Sequence, residues 1–242
     1  MEAVTRWTLP PFRAKSAAMD LIVKICGLST EATLGAALDA GADMVGFVFF
    51  PKSPRFFSLD VAKALAAKAR GRAEIAALVV DLDDAALAAI VEAVRPDWLQ
   101  LHGREMPERV AAIKARFGIK TMKAVGVSAA SDLAAAARYA TVADRLLLDA
   151  KPPKGAVLPG GNGAPFDWRL LAGFRPAVPY LLSGGLSPAN VGEALAITGA
   201  PGVDVSSGVE TAPGTKDADL IRAFIRNALH AAKARVPERV AS

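Results

Sequence analysis

Leu21-Ile22-Val23-Lys24-Ile25-Cys26-Gly27 reads as a buried strand ending in the only cysteine of 242 residues. Side chains alternate faces along a strand, so Lys24 and Cys26 share one face, about 7 Å apart. A cation that near is expected to lower the thiol from its usual pKa of about 8.5, whereas a small buried core residue is the plainer reading of the same cysteine. The residues just past the strand bear on the fold. A doubly wound open sheet needs phosphate-binding glycines after its first strand, and here only Gly27 is present.

Working outward, β-rich runs at 21–26, 44–50, 75–80, 98–102, 121–126, 145–149, 179–184 and 203–206 alternate with alanine-rich helical stretches. Most of these runs are apolar on both faces, as strands of a parallel sheet must be when helices cover one side and a packed interior the other. Eight such units, with strand ends 22 to 35 residues apart, predict an α/β protein built as one (β/α)8 TIM barrel. A solenoid would repeat its sequence, and these units do not. Ser58, Ser128 and Ser187 are placed to cap helices, with Pro188 at a first helical position. From Lys216 to Arg235, Leu220, Ile221, Phe224, Ile225 and Leu229 share one face, so this stretch is expected to close the barrel as its eighth helix, with Arg222, Arg226 and Lys233 wet. Residues 1–20 and 237–242 are expected to be tails flanking a catalytic barrel at 21–236.

Composition excludes several classes. Hydrophobic residues make up 52% of the chain, which provides a large core and argues against disorder. One cysteine cannot form an intramolecular disulfide framework, in keeping with a reducing, cytoplasmic compartment. No apolar window reaches membrane-spanning length, and residues 1–20 hold no continuous apolar core of the secretory type. The net charge of +5 comes from Lys and Arg scattered among 24 acidic residues, a solvated surface rather than a nucleic-acid footprint.

In a barrel of this kind, chemistry sits at the C-terminal ends of the strands. Cys26 ends the first run; Pro51-Lys52-Ser53-Pro54-Arg55 follows the second; His102 ends the fourth; Asp149 ends the sixth; Asp204 lies in the eighth. Three leucines precede Asp149, so burial is expected to raise its pKa and keep it able to donate a proton. The loops Ser183-Gly184-Gly185-Leu186 and Ser206-Ser207-Gly208-Val209-Glu210 follow the seventh and eighth runs, where such barrels hold phosphate against backbone N–H groups. Residues 152–165, with four prolines and four glycines, leave the same face and are expected to form a lid, ending at Phe166-Asp167-Trp168 as the cap and first turn of helix six. His230, on the last helix, is expected to be exposed and far from this face. No spacing of His, Cys, Asp or Glu resembles a metal site, and no dinucleotide fingerprint appears.

Taken in order, these strand-end motifs resemble the phosphoribosylanthranilate isomerase family of tryptophan biosynthesis. The resemblance rests on Lys24-Ile25-Cys26-Gly27, Gly46-Phe47-Val48-Phe49, Pro51-Lys52-Ser53-Pro54-Arg55, Gln100-Leu101-His102-Gly103, Lys123-Ala124-Val125, Leu148-Asp149, Gly160-Gly161-Asn162-Gly163, Leu182-Ser183-Gly184-Gly185-Leu186 and Val203-Asp204-Val205-Ser206-Ser207-Gly208-Val209-Glu210. It implies a cofactor-free and metal-free Amadori rearrangement of N-(5-phosphoribosyl)anthranilate, with Cys26 as general base and Asp149 as general acid. It also implies Arg55 on the anthranilate carboxylate, Lys24, His102 and Asp204 against substrate, and Gly184, Gly185, Ser206, Ser207 and Gly208 on the phosphate. The expected partner is that small molecule, with no nucleic acid and no membrane, and the expected assembly a monomer or homodimer. Val80-Asp81 departs from the family's more usual aromatic and asparagine, and Ala164-Pro165 from its common lysine or glutamine. An aldose–ketose isomerase of histidine biosynthesis is the nearest rival, and a basic nucleic-acid-binding protein the rival from another class.

Overall fold

Alternation along the first strand sets the architecture. In the computed structural model, which describes residues 21–151, 160 and 165–235, Val23 and Ile25 point outward into a layer of helices, while Lys24 and Cys26 point inward. The same period of two recurs in every strand. The outer core includes Val45, Phe47, Ile75, Leu99, Leu101, Leu146 and Leu148; the interior core holds Met44, Ala76, Trp98, Met122, Ala124, Leu147 and Leu181.

The elements run β1 (Ile22–Cys26), α1 (Glu31–Asp39), β2 (Met44–Val48), α2 (Leu59–Ala69), β3 (Glu74–Val79), α3 (Asp84–Val94), β4 (Trp98–Leu101), α4 (Pro107–Phe117), β5 (Lys120–Val127), α5 (Ala130–Tyr139) and β6 (Arg145–Ala150). They continue through a 3-10 turn (Trp168–Leu171), β7 (Tyr180–Leu182), α6 (Val191–Thr198), β8 (Gly202–Val205), β9 (Glu210–Ala212), β10 (Thr215–Lys216) and α7 (Ala218–Ala234). Strands β1 to β8 are parallel and close into a barrel, with Lys24 opposite Met44 on one side and Asp204 on the other.

Helix starts follow the sequence in part. Ser58 caps α2 through its side chain, as expected. Ser128 stands one residue outside the cap of α5, and its N–H and hydroxyl donate to Asp132 instead. After β7, α6 begins only at Val191, because Asn190 folds back to accept from the Ser187 N–H and donate to the Gly185 carbonyl, which holds 187–190 as a turn. Asp167 caps a 3-10 turn of four residues rather than an α-helix. Helix α7 buries Ile221, Phe224, Ile225 and Ala228 and leaves Arg222, Arg226, His230 and Lys233 exposed. Its first residue is Ala218, since Lys216 belongs to a hairpin, β9–β10, that sequence periodicity does not reveal. The expected tails at 1–20 and 237–242, the boundary at 236 and most of the 152–165 segment lie outside the described residues.

Candidate active site

Near the C-terminal mouth of the barrel the interior turns from apolar to ionic. Lys24, fully buried, donates to Asp204 Oδ1 at 2.6 Å, and Ser183 Oγ donates to Asp204 Oδ2 at 3.1 Å. Cys26 lies in the same layer. Glycine is required across from them: a Cβ at Gly46 would stand 2.8 Å from Cys26 Sγ and 3.1 Å from Lys24 Nζ. The expected lowering of the thiol does not hold. Burial pushes the Cys26 pKa up and Asp204 adds to the rise, and these outweigh the opposing pull of Lys24, whose charge is already engaged by Asp204. The same carboxylate, with Cys26, holds the Lys24 pKa above its usual value although burial works against it.

Asp149 is the last residue but one of β6 and is 5% exposed. Its Oδ1 accepts from the Ala150 N–H at 2.8 Å, and its Oδ2 lies 3.3 Å from His102 Nε2. Gly160 packs over both: a Cβ there would come within 2.7 Å of the His102 ring. A cavity of about 290 Å³ joins these groups, lined by Cys26, Arg55, Gln100, His102, Asp149, Ser183 and Asp204, with Val48, Phe50, Leu78, Val80 and Phe166 as its apolar wall. Its far side is formed by Gly184, Gly185, Ser206 and Ser207. Gly184 and Gly185 both adopt left-handed backbone, and a side chain at Gly184 would collide with the Ala150 N–H. Gly208 packs so closely on the Leu186 carbonyl that no Cβ fits between the two phosphate-loop candidates.

Arg55, which the resemblance puts on the anthranilate carboxylate, already holds a carboxylate of this chain. Its Nε and Nη2 donate to the two oxygens of Glu210 at 2.7 and 2.8 Å, which leaves the Nη1 side for a ligand. Glu210 also accepts from Lys216 Nζ at 2.6 Å, and Lys216 donates to the Ser206 carbonyl. Burial works to raise the Glu210 pKa, but Arg55 and Lys216 hold it below the usual carboxylate range. Lys216, buried and sharing its one carboxylate with a second cation, is pushed down. Glu210 closes the Ser206-Ser207-Gly208-Val209-Glu210 motif without a role of its own there, and Lys216 does not stand out in the sequence at all, because nothing in the residue order announces the hairpin that joins them. Lys52 is exposed. Of the two departures from the family pattern, Val80 lines the cavity, while Asp81 turns away, with left-handed backbone, to accept from the Arg104 N–H. Ala164 and the Gly161–Gly163 motif lie outside the described residues.

Residues 23–227 match the family model of N-(5'-phosphoribosyl)anthranilate (PRA) isomerase. The N-(5'-phosphoribosyl)anthranilate isomerase of Rhodopseudomonas palustris (strain HaA2) is 61% identical over 208 residues, which cover 86% of this chain and 95% of that relative. Among solved structures, monomers generated from the dimeric phosphoribosylanthranilate isomerase of Thermotoga maritima align with a TM-score of 0.75 at 36% identity, over 86% of this chain and 98% of that one. A phosphoribosylanthranilate isomerase in complex with reduced 1-(o-carboxyphenylamino)-1-deoxyribulose 5-phosphate gives the same TM-score and the same coverage at 35% identity.

Proposed function

This chain belongs to the phosphoribosylanthranilate isomerase family, and from that premise we propose how its residues divide the proton transfers of the reaction. The protein is an aldose–ketose isomerase of tryptophan biosynthesis, converting N-(5-phosphoribosyl)anthranilate to 1-(2-carboxyphenylamino)-1-deoxyribulose 5-phosphate. In our reading, Asp149 gives a proton to the ribose ring oxygen as the C1–O bond breaks and its electron pair goes to that oxygen. The arylamine lone pair then makes an iminium at C1, which acidifies the C2 proton. Cys26, as thiolate, takes that proton, and the C–H electrons neutralise the iminium to an enolamine that tautomerises to the ketone. The observation that carries the assignment is that Cys26 and Asp149, from β1 and β6, line one cavity also bounded by the Gly184-Gly185 and Ser206-Ser207 loops.

The remaining roles rest on placement and stay part of the proposal. Gly184, Gly185, Ser206, Ser207 and Gly208 take the phosphate, and the Nη1 side of Arg55 takes the anthranilate carboxylate. Lys24, His102 and Asp204 support the reacting sugar from below and beside it. Among the described residues no helix is long and apolar enough to cross a membrane, and we place the enzyme in the cytoplasm. The assembly is a monomer or a homodimer, which light scattering separates.

The pH profile tests the base. Since burial raises the Cys26 pKa, deprotonation, and with it kcat/KM, should climb with pH, and the acidic limb should lie above the ordinary thiol range. That limb should vanish in Cys26→Ser. An unchanged limb would move the base role to His102.

A further inference from the structure

Gln100 is wholly buried, lies two residues before His102, and faces the same way into the barrel. Its Nε2 is 3.2 Å from His102 Nδ1, on the side of the ring opposite Asp149. Its Oε1 is buried without a partner among the described residues. An amide can meet an imidazole in two ways, and the two leave the ring proton on different nitrogens. If the amide nitrogen donates, Nδ1 keeps its lone pair and a neutral ring carries its proton on Nε2. If the amide is turned over, Oε1 accepts from Nδ1–H, and Nε2 faces Asp149 as a bare base.

We infer that Gln100 is a positioning residue that fixes His102 as the Nε2–H tautomer, so that His102 cannot take the proton Asp149 must deliver to substrate. Two observations favour this orientation. Turning the amide over would put two N–H donors where Oε1 has no partner, and buried orphan donors are rarer than orphan carbonyls. It would also leave Nε2 and the Asp149 carboxylate 3.3 Å apart, lone pair to lone pair, once the acid has given up its proton. With the proton on Nε2, His102 donates to Asp149 Oδ2 in both states of the acid, and that hydrogen bond strengthens as negative charge develops on the carboxylate.

The inference rests on Asp149 as the acid, yet its first readout, the position of the ring proton, does not depend on turnover. The chain has only two histidines, His102 and the exposed His230, so the ring nitrogens of 15N-histidine-labelled protein are readily separated. At a pH where imidazole is neutral, the free enzyme should show the proton of His102 on Nε2. In Gln100→Glu the new acceptor should move it to Nδ1 or make the ring an imidazolium. There kcat should fall about tenfold with KM held, a part of the 10²–10⁴ that a positioned acid contributes. Gln100→Met, which removes the donor without supplying an acceptor, should lose less. A wild-type ring protonated at Nδ1 overturns the inference, even if Gln100→Glu fails to fold, and leaves Asp149 untouched as the acid. A moved proton with unchanged kcat also overturns it.

Discussion

At the N-terminal mouth of the barrel, Arg145 is buried on the face of Trp98, its guanidinium carbon 4.3 Å from the ring centroid and its Nη1 3.0 Å from the Met44 sulfur. At the C-terminal mouth, Lys24 is buried against a carboxylate 2.6 Å away and beside a thiol. Both are cations taken out of water inside the same closed sheet. The lower one packs on an aromatic ring and a thioether, neither of which exchanges protons near neutral pH, while the carboxylates of Glu74 and Asp43 act on it as opposing charges. Around the upper one stand Cys26, Asp204 and Ser183, groups that titrate or relay. Burial alone therefore does not mark a functional charge; what differs is the groups packed directly on it, a ring and a thioether below and a carboxylate and a thiol above.

That contrast can be broken by substitutions at each end. At the upper end, Cys26→Ala and Asp149→Ala should each lower kcat by a factor on the order of 10²–10⁴ and leave the melting temperature close to wild type. Steady-state rates and thermal denaturation check this together, and a collapse in stability would make the upper layer structural like the lower. At the lower end, Trp98→Ala should cost about 3–5 kcal/mol of stability, since it empties a packed interior and strips Arg145 of its platform, while the folded fraction keeps its kcat. Urea denaturation followed by assay in native buffer decides. The smallest change is expected at the rim, where Arg55→Ala should raise KM by about 2 kcal/mol in free-energy terms, as for a lost charged hydrogen bond. An unchanged KM would hand the substrate carboxylate to Lys52 on the same loop.

The barrel itself was legible because its signal is distributed. Eight apolar runs each predict a strand, and the structure trims or extends their ends by a few residues without losing one. The placement of Cys26, Asp149 and Asp204 around one cavity was legible as well, since the end of a strand is a position that sequence can locate. Hidden from sequence were the contacts between strand ends. Nothing in the residue order says that the Arg55 fork meets Glu210, which lies 155 residues later, or that Asp204 rather than Cys26 engages Lys24 most strongly. The expected fall in the Cys26 pKa fails chiefly because closure of the barrel takes the thiol out of water, and Asp204, on the strand next to it, adds to the rise. The helix after β6 failed differently, because Phe166-Asp167-Trp168 carries a sound cap but the chain behind it soon reaches Gly173 and Pro176, and only a 3-10 turn forms.

The Lys24–Asp204 pair joins residues 180 apart in the chain, across the seam where β8 meets β1. It cannot exist until the ring has closed, and a nascent chain released in order from its N-terminus makes β1 first and β8 last. Until then Cys26 is an ordinary edge-strand thiol, open to oxidants and electrophiles. Once the seam shuts, the same sulfur is enclosed and its ionisation suppressed. Closure of the last strand is therefore also what takes the thiol of the first out of bulk water.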